Sequence, residues 1–237
     1  MSRNKQSPVK GTLTDAKGME NDEPIFRSRK ERLEAGERLS ESVPHALHAV
    51  WKPKRKHRDP IEILEVSNRY RLPNLIPVRY GRMLRSPFTF LRGSAGVMAH
   101  DLANTPNTGI QVQACGDCHL LNFGLFATPE RNLIFDINDF DETLPAPWEW
   151  DVKRLAISFV VAARDNRLSD KDAQAIAVQC VRAYRERLRK LSKMSPLDVW
   201  YDRLDAQTII DMAPNAKIKK NRVQLIAKAK ARIGEYL

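Results

Sequence analysis

Residues 115–142, CGDCHLLNFGLFATPERNLIFDINDFDE, constrain the fold and the chemistry of this chain more than any other stretch. Five carboxylates lie between residues 130 and 142, and an Asp, an Asn, a His and two Cys precede them. Strand-forming residues separate these polar groups. We therefore expect a strand end, a loop, a β-hairpin and a metal-holding turn, in that order.

Alternation and turn residues predict the strands around this stretch. Residues 110–114 alternate, which predicts a half-buried strand with Ile110, Val112 and Ala114 on its buried face. Residues 125–127 and 132–135 flank the turn sequence TPER, which predicts a hairpin. The aromatic run 88–91 is typical of a further strand.

Capping residues and apolar periodicity predict helices through the rest of the chain. Asp59 and Ser169 are expected to cap helices that run to about residues 70 and 191. The other helical segments are 26–42, 78–85, 97–103, 150–166, short pieces in 196–213, and 221–236. These elements predict an α+β fold that is rich in helix.

The sequence divides into four parts by composition. We expect a disordered polar tail over 1–25, a basic helical lead-in over 26–58, a core carrying the site over 59–192, and a basic helical segment over 193–237. The last segment is expected to be cut short. The formal net charge is +11, and the surplus lies in the two flanks. Basic flanks of this kind bind nucleic acid in some proteins and are solvated surface in others.

Composition also favours a location in the cytoplasm, where thiols stay reduced. No run of 18 apolar residues predicts a membrane span, and the polar start lacks the apolar core of a signal peptide. Three cysteines cannot all pair, which favours free thiols. We therefore expect a cytoplasmic protein without a membrane partner.

Three chemistries fit the residues of 115–142. Cys115, Cys118 and His119 match the C-x-x-C-H pattern of haem attachment and could instead hold zinc with a fourth ligand. The acidic turn could hold a divalent cation such as magnesium through oxygen ligands, or it could pair with arginines, through Asp136, Asp139, Asp141 and Glu142.

The third chemistry is phosphoryl transfer. Asp117 and Asn122 are spaced as in the Asp-x-x-x-x-Asn of kinase catalytic loops, and a hairpin would return Asp136 beside them. In that chemistry an Asp orients the acceptor hydroxyl, while an Asn and a second Asp hold magnesium against the phosphates.

The motif G-D-x-H-x-x-N, followed by I-F-D, resembles the catalytic loop and metal Asp of aminoglycoside phosphotransferases and related kinase-like proteins. More of the chain resembles the family called domain of unknown function 2252. The matching segments are 69–73, 79–83, 86–93, 115–124, 135–143 and 149–155.

These resemblances imply a protein-kinase-like, C-lobe-like core with a small β-hairpin site, and an ATP- and magnesium-dependent phosphotransferase of unknown acceptor. They imply catalytic roles for Asp117 and His119, with Asp117 as the base. The metal ligands they imply are Asn122, Asp136 and Asp139.

Two further residues take roles from the same resemblance. Arg92 would bind the cofactor, and Asp151 would either steady the catalytic loop from the start of the next helix or act only as the cap of that helix. We expect Asp117→Ala to abolish transfer with the fold intact, and Asp136→Ala to abolish magnesium binding.

The resemblance also implies a shortened chain. Family members carry a Gly-rich segment and a Lys-containing strand downstream, and neither occurs in these 237 residues. The missing clamp leaves open whether the shortened chain binds phosphates and is active or is inactive. The alternative from a different class is a non-catalytic protein that binds nucleic acid through its basic flanks.

Overall fold

The computed structural model describes residues 28–50 and 59–235, with side chains to residue 231. The predicted tail over 1–25 and the basic run over 52–58 lie outside the described residues. The chain divides into two compact units, Met1–Ser42 and Val43–Leu237. In the first unit, helix α1 (Arg29–Ser42) confirms the predicted charged helix, and Ser28 Oγ accepts a hydrogen bond from the Glu31 N–H.

The second unit is built mainly of helices, which confirms the predicted helix-rich α+β class. Its helices are α2 (Pro60–Asn68), α3 (Ile76–Met83), α4 (Pro87–Gly93), α5 (Ala95–Leu102), α6 (Glu149–Asp165), α7 (Asp170–Leu191), α8 (Pro196–Trp200), α9 (Ala206–Asp211) and α10 (Ala216–Glu235). Its strands are β1 (Gln111–Ala114), β2 (Phe123–Ala127), β3 (Leu133–Ile137) and β4 (Leu144–Pro147). No helix within the described ranges is long and apolar enough to cross a bilayer.

Helix caps follow the sequence where the expected N-cap residues occur. Asp59 Oδ1 accepts a hydrogen bond from the Ile61 N–H at 2.8 Å, and Pro60 fills the first position of α2. Ser169 Oγ accepts one from the Asp172 N–H at 3.1 Å at the start of α7. Both contacts satisfy amides that a helix leaves without an internal partner.

The aromatic run 88–91 is helical, so the predicted strand there is wrong. Ser86 Oγ accepts from the Thr89 N–H at 3.2 Å, while Thr89 Oγ1 accepts from the Ser86 N–H at 2.9 Å. This reciprocal cap, with Pro87 at the first helical position, starts α4. Local capping therefore outweighs the strand preference of two phenylalanines.

The strands form two separate antiparallel pairs among the described residues. β1 pairs with β4 and places Ala114 opposite Leu144, while β2 pairs with β3 and places Gly124 opposite Asp136. The β2–β3 pair confirms the predicted hairpin. The buried face predicted for β1 is wrong, since Ile110 and Val112 remain 47% and 39% exposed and Ala114 alone of the three is buried.

Two apolar clusters support this arrangement. One joins Leu133 of the hairpin to Ala206, Ile210 and Ile226, so α9 and α10 pack on the β2–β3 pair. The other joins Leu64 of α2, Met83 of α3 and Val97 of α5. The first cluster fixes one face of the hairpin and leaves its other face, with Asp136, away from that core.

Candidate functional site

The loop 115–122 leaves β1 and leads directly into β2. Gly116 has φ +79°, a left-handed conformation that L side chains rarely adopt. A Cβ on this residue would lie 1.9 Å from the carbonyl oxygen of Glu142. The loop therefore requires glycine here, both for its turn and for the close approach of the chain beyond β3.

Gly116→Ala is expected to destabilise the protein by more than about 3 kcal/mol, because left-handed strain and a backbone clash add. Gly109 is a matched control, since it has φ +78° and no atom within 4 Å of an added Cβ. Gly109→Ala should cost about 1–2 kcal/mol from strain alone. Urea unfolding of both variants measures the difference, and equal costs would contradict the predicted clash.

One face of α6 packs against loop 115–122 and binds it through hydrogen bonds. Asp151, Arg154 and Ser158 are spaced i, i+3 and i+7, which places them on one side of the helix. We call these three residues the α6 stripe. Each of them bonds to a different part of the loop, so the helix fixes the loop along its length.

The ends of the α6 stripe bind loop amides. Asp151 accepts hydrogen bonds from the backbone N–H groups of Cys115 at 2.7 Å and Gly116 at 3.2 Å. Ser158 Oγ accepts one from the Leu120 N–H at 3.0 Å. The Asp151 contacts match the steadying role that the resemblance implies for this residue.

The centre of the α6 stripe binds the predicted base. Arg154 is 2% exposed, and its Nε donates to Asp117 Oδ1 at 2.8 Å. Its Nη2 donates to the same oxygen and also to the Leu91 carbonyl at 2.7 Å. Burial raises the pKa of Asp117 from its ordinary value, against the opposing attraction of Arg154.

His119 is buried beside Asp117. Its Nδ1 accepts a hydrogen bond from the Leu121 N–H at 3.2 Å, so the proton of the neutral ring lies on Nε2. Nε2 is 3.5 Å from Asp117 Oδ2. Burial, together with the charges of Arg92 and Arg154, lowers the pKa of His119 to about 4. At neutral pH His119 is therefore uncharged, and its Nε2–H faces Asp117 Oδ2.

The lowered pKa of His119 predicts a pH dependence of stability. The unfolded chain binds a proton near pKa 6.5 and the folded chain near pKa 4. The free energy of unfolding should therefore fall by about 3 kcal/mol as pH drops through this window, and this loss ends below the folded pKa. Urea unfolding across the window should show a flatter dependence in His119→Gln. An unchanged pH slope in that variant would contradict the assignment.

Asn122 closes the loop and lies at the mouth of the hairpin. Its Nδ2 donates to the Asp117 carbonyl at 2.8 Å, and its own carbonyl accepts from the Asn138 N–H at 2.9 Å. The side chain is buried, and its contact with the Asp117 carbonyl fixes it next to Asp117.

The two candidate metal aspartates occupy different places. Asp136 lies within β3, and its Oδ1 accepts from the adjacent Ile137 N–H. Asp139 lies just past β3, and its carbonyl accepts from the Cys115 thiol at 3.5 Å. Its negative charge raises the pKa of both Asp117 and His119. Of these two aspartates, Asp139 is therefore the one whose charge acts on Asp117.

Arg92 lies at the end of α4, next to the Leu91 carbonyl that binds Arg154. Its side chain is exposed, and its charge lowers the pKa of Asp117 and of His119. The predicted cofactor residue is therefore a solvent-facing cation on the α4 side of Asp117.

The cysteines show no metal-binding arrangement. Cys115 and Cys118 are buried, and burial raises the pKa of both thiols. In the parts of the chain that the structure describes, no group of three or more His, Cys, Asp or Glu side chains could by itself hold a metal ion. The haem and zinc interpretations therefore gain no support from this region.

A family model described as "Uncharacterized protein conserved in bacteria (DUF2252)" matches residues 71–237. The chain belongs to this family. In this DUF2252 protein the matched range contains the whole site, from Arg92 on α4 to Ser158 on α6. No curated protein and no solved structure matches the chain.

Two of the three residues of the α6 stripe in this DUF2252 chain, Arg154 and Ser158, were not predicted from the sequence to be part of the site. Arg154 was covered only by the general prediction that the acidic turn could pair with arginines, and Ser158 carried no prediction. The signal that could have found them is the spacing of polar residues along an otherwise apolar face of α6. A buried polar residue on such a face needs a partner, and the loop supplies it.

Proposed function

We propose that this DUF2252 protein is a magnesium-dependent phosphotransferase that transfers the γ-phosphoryl group of ATP to a hydroxyl acceptor. The observation that supports the proposal is the placement of three residues where loop 115–122 joins the hairpin: the Asn122 amide donates to the Asp117 backbone carbonyl, and the charge of Asp139 acts on the Asp117 carboxyl group. A base, an amide oxygen and a carboxylate in one place are the parts that phosphoryl transfer requires.

The donor set suits magnesium. Asn122 Oδ1 and the Asp139 carboxylate are hard oxygen ligands, and magnesium commonly uses one or two carboxylates, substrate phosphates and water. A site built on these two residues would take its remaining ligands from the phosphates and from water. A bound magnesium ion would neutralise phosphate charge, and Asn122 and Asp139 would hold it.

Asp117 would orient the acceptor hydroxyl and take its proton. Oδ1 already accepts two hydrogen bonds from Arg154, whereas the nearest donor to Oδ2 within the described part of the chain is the more distant His119 Nε2. Oδ2 is thus the oxygen with a lone pair to offer. A carboxylate with a raised pKa is a stronger base than one fully exposed to water.

Arg92 would supply positive charge to the phosphates. A guanidinium binds phosphate oxygens through paired donors, and Arg92 is the exposed arginine whose charge reaches both Asp117 and His119. Exchange to Lys would keep the charge and remove the paired geometry. Its phosphate role therefore predicts weaker ATP binding in Arg92→Ala than in Arg92→Lys.

Isothermal titration calorimetry tests the proposal on the full chain. ATP should bind in the presence of magnesium and should bind far more weakly in EDTA. The control ligand is AMP, which lacks the β- and γ-phosphates that would complete the metal site. Equal binding of ATP with and without magnesium, or no ATP binding at all, would contradict the proposed function.

A further inference from the structure

We infer that Arg154 is a positioning residue that fixes the carboxylate of Asp117 and leaves Oδ2 as the reacting oxygen. This inference rests on the proposed function and adds a residue to it. The ion pair is one-sided, because Nε and Nη2 of Arg154 both donate to Oδ1. With Oδ1 occupied, a proton from the acceptor can go only to Oδ2.

Arg154 is itself held rigidly. Nη2 also donates to the Leu91 carbonyl of α4 at 2.7 Å, and Nη1 lies 3.4 Å from the Met98 sulfur of α5. The guanidinium therefore joins three elements, α4, α5 and loop 115–122, while its own Cα is fixed in α6. Movement of Asp117 would require movement of this whole set.

Arg154 has no access to a substrate. Its side chain is 2% exposed, whereas that of Asp117 is 17% exposed. Arg154 can therefore affect the reaction only through Asp117. A role of this kind differs from a general structural role, because its effect should vanish when the carboxylate it positions has been removed.

The neighbouring His119 completes the selection of the oxygen. Its neutral Nε2–H faces Oδ2 from 3.5 Å, which is a weak contact compared with the two bonds to Oδ1. Because this contact is weak, Asp117 Oδ2 can release His119 Nε2–H and accept a hydrogen bond from the acceptor hydroxyl instead. The two carboxylate oxygens of Asp117 thus have different roles: Oδ1 is fixed by Arg154, and Oδ2 takes the proton of the acceptor.

The substitution to test is Arg154→Lys, which keeps the charge but loses the fork of donors. We expect kcat for magnesium-dependent phosphate release from ATP to fall about 100-fold, since a misplacement of about 1 Å has such an effect. KM for ATP should change less than about threefold, because the phosphates do not contact Arg154. Arg164→Lys is the matched control on the same helix: it pairs with Asp170 at 2.9 Å on the surface, and its kcat should be unchanged.

A double-mutant cycle separates positioning from stability. In the Asp117→Asn background, Arg154→Lys should cause no further loss of kcat. A full additional loss in that background, or wild-type kcat in Arg154→Lys alone, would overturn the inference. Arg154→Gln serves as a second variant, and failure of both variants to fold would also overturn it, because Arg154 would then act on the fold. A wild-type chain without turnover would instead overturn the proposed function, and this inference with it.

Discussion

Replacing Asp117 by alanine is expected to lower magnesium-dependent phosphate transfer from ATP by roughly 10²–10⁴-fold and to destabilise the protein by about 3–5 kcal/mol. The first effect is the loss of the base. The second follows from Arg154, which is buried and would lose its counter-ion. The sequence alone suggested that Asp117→Ala would leave the fold intact. Because of the buried ion pair, we expect this variant to be less stable than the wild type.

Asp117→Asn separates these two effects. Its amide oxygen can still accept from Arg154 Nε, so the loss of stability should be smaller than in Asp117→Ala, while the loss of transfer should be as large. Asp170→Ala provides the surface control, because it breaks the exposed pair with Arg164 and should cost less than about 1 kcal/mol.

Urea unfolding and initial rates of phosphate release measure both quantities for the three variants. Full stability in Asp117→Ala would contradict the importance of the buried pair. A rate close to wild type in either Asp117 variant would remove the residue from the chemistry.

Asp139→Asn is expected to weaken magnesium-dependent ATP binding by roughly 100-fold or more. Loss of a partner that merely supports a metal ligand costs 10–100-fold in affinity in other proteins, so loss of a ligand should cost at least as much. Asp139 lies just past β3, where its charge acts on Asp117 and its backbone carbonyl accepts a hydrogen bond from the Cys115 thiol.

Asp136→Asn is the matched comparison, three residues earlier and of identical chemistry. Both aspartates are exposed and each accepts a nearby backbone N–H, Asp136 from Ile137 and Asp139 from Asp141. They differ in that the charge of Asp139 acts on Asp117, so exchange of Asp136 should change magnesium-dependent ATP binding much less. Calorimetry on both variants, with and without EDTA, decides between them. The reverse order of effects would assign the ligand to Asp136, as the spacing of the motif alone suggests.

Local sequence signals predicted the scaffold well where one physical cause dominates. The hairpin followed from a turn between two strand-forming runs, and α6 and α7 followed from apolar periodicity and a serine cap. The segment 88–91 went wrong because two signals compete there. The reciprocal cap of Ser86 and Thr89 favours helix, and it prevails over aromatic strand preference.

The ion pair and the exposed face of β1 could not be predicted in the same way, because both depend on distant parts of the chain. Arg154 meets Asp117 across 37 positions of sequence. Whether β1 is covered depends on its partner, and β4 is short and contains two prolines. Spacing could propose which residues gather, but it could not distinguish Asp136 from Asp139, since that choice depends on where β3 ends.

A crystal structure of the full chain with manganese and a non-hydrolysable ATP analogue tests the central claim most directly, because manganese substitutes for magnesium and its anomalous scattering locates it. We predict one manganese ion bound by Asn122 Oδ1, the Asp139 carboxylate and the phosphates, with Asp117 Oδ2 facing the terminal phosphate. Manganese or nucleotide bound away from loop 115–122 would contradict the claim.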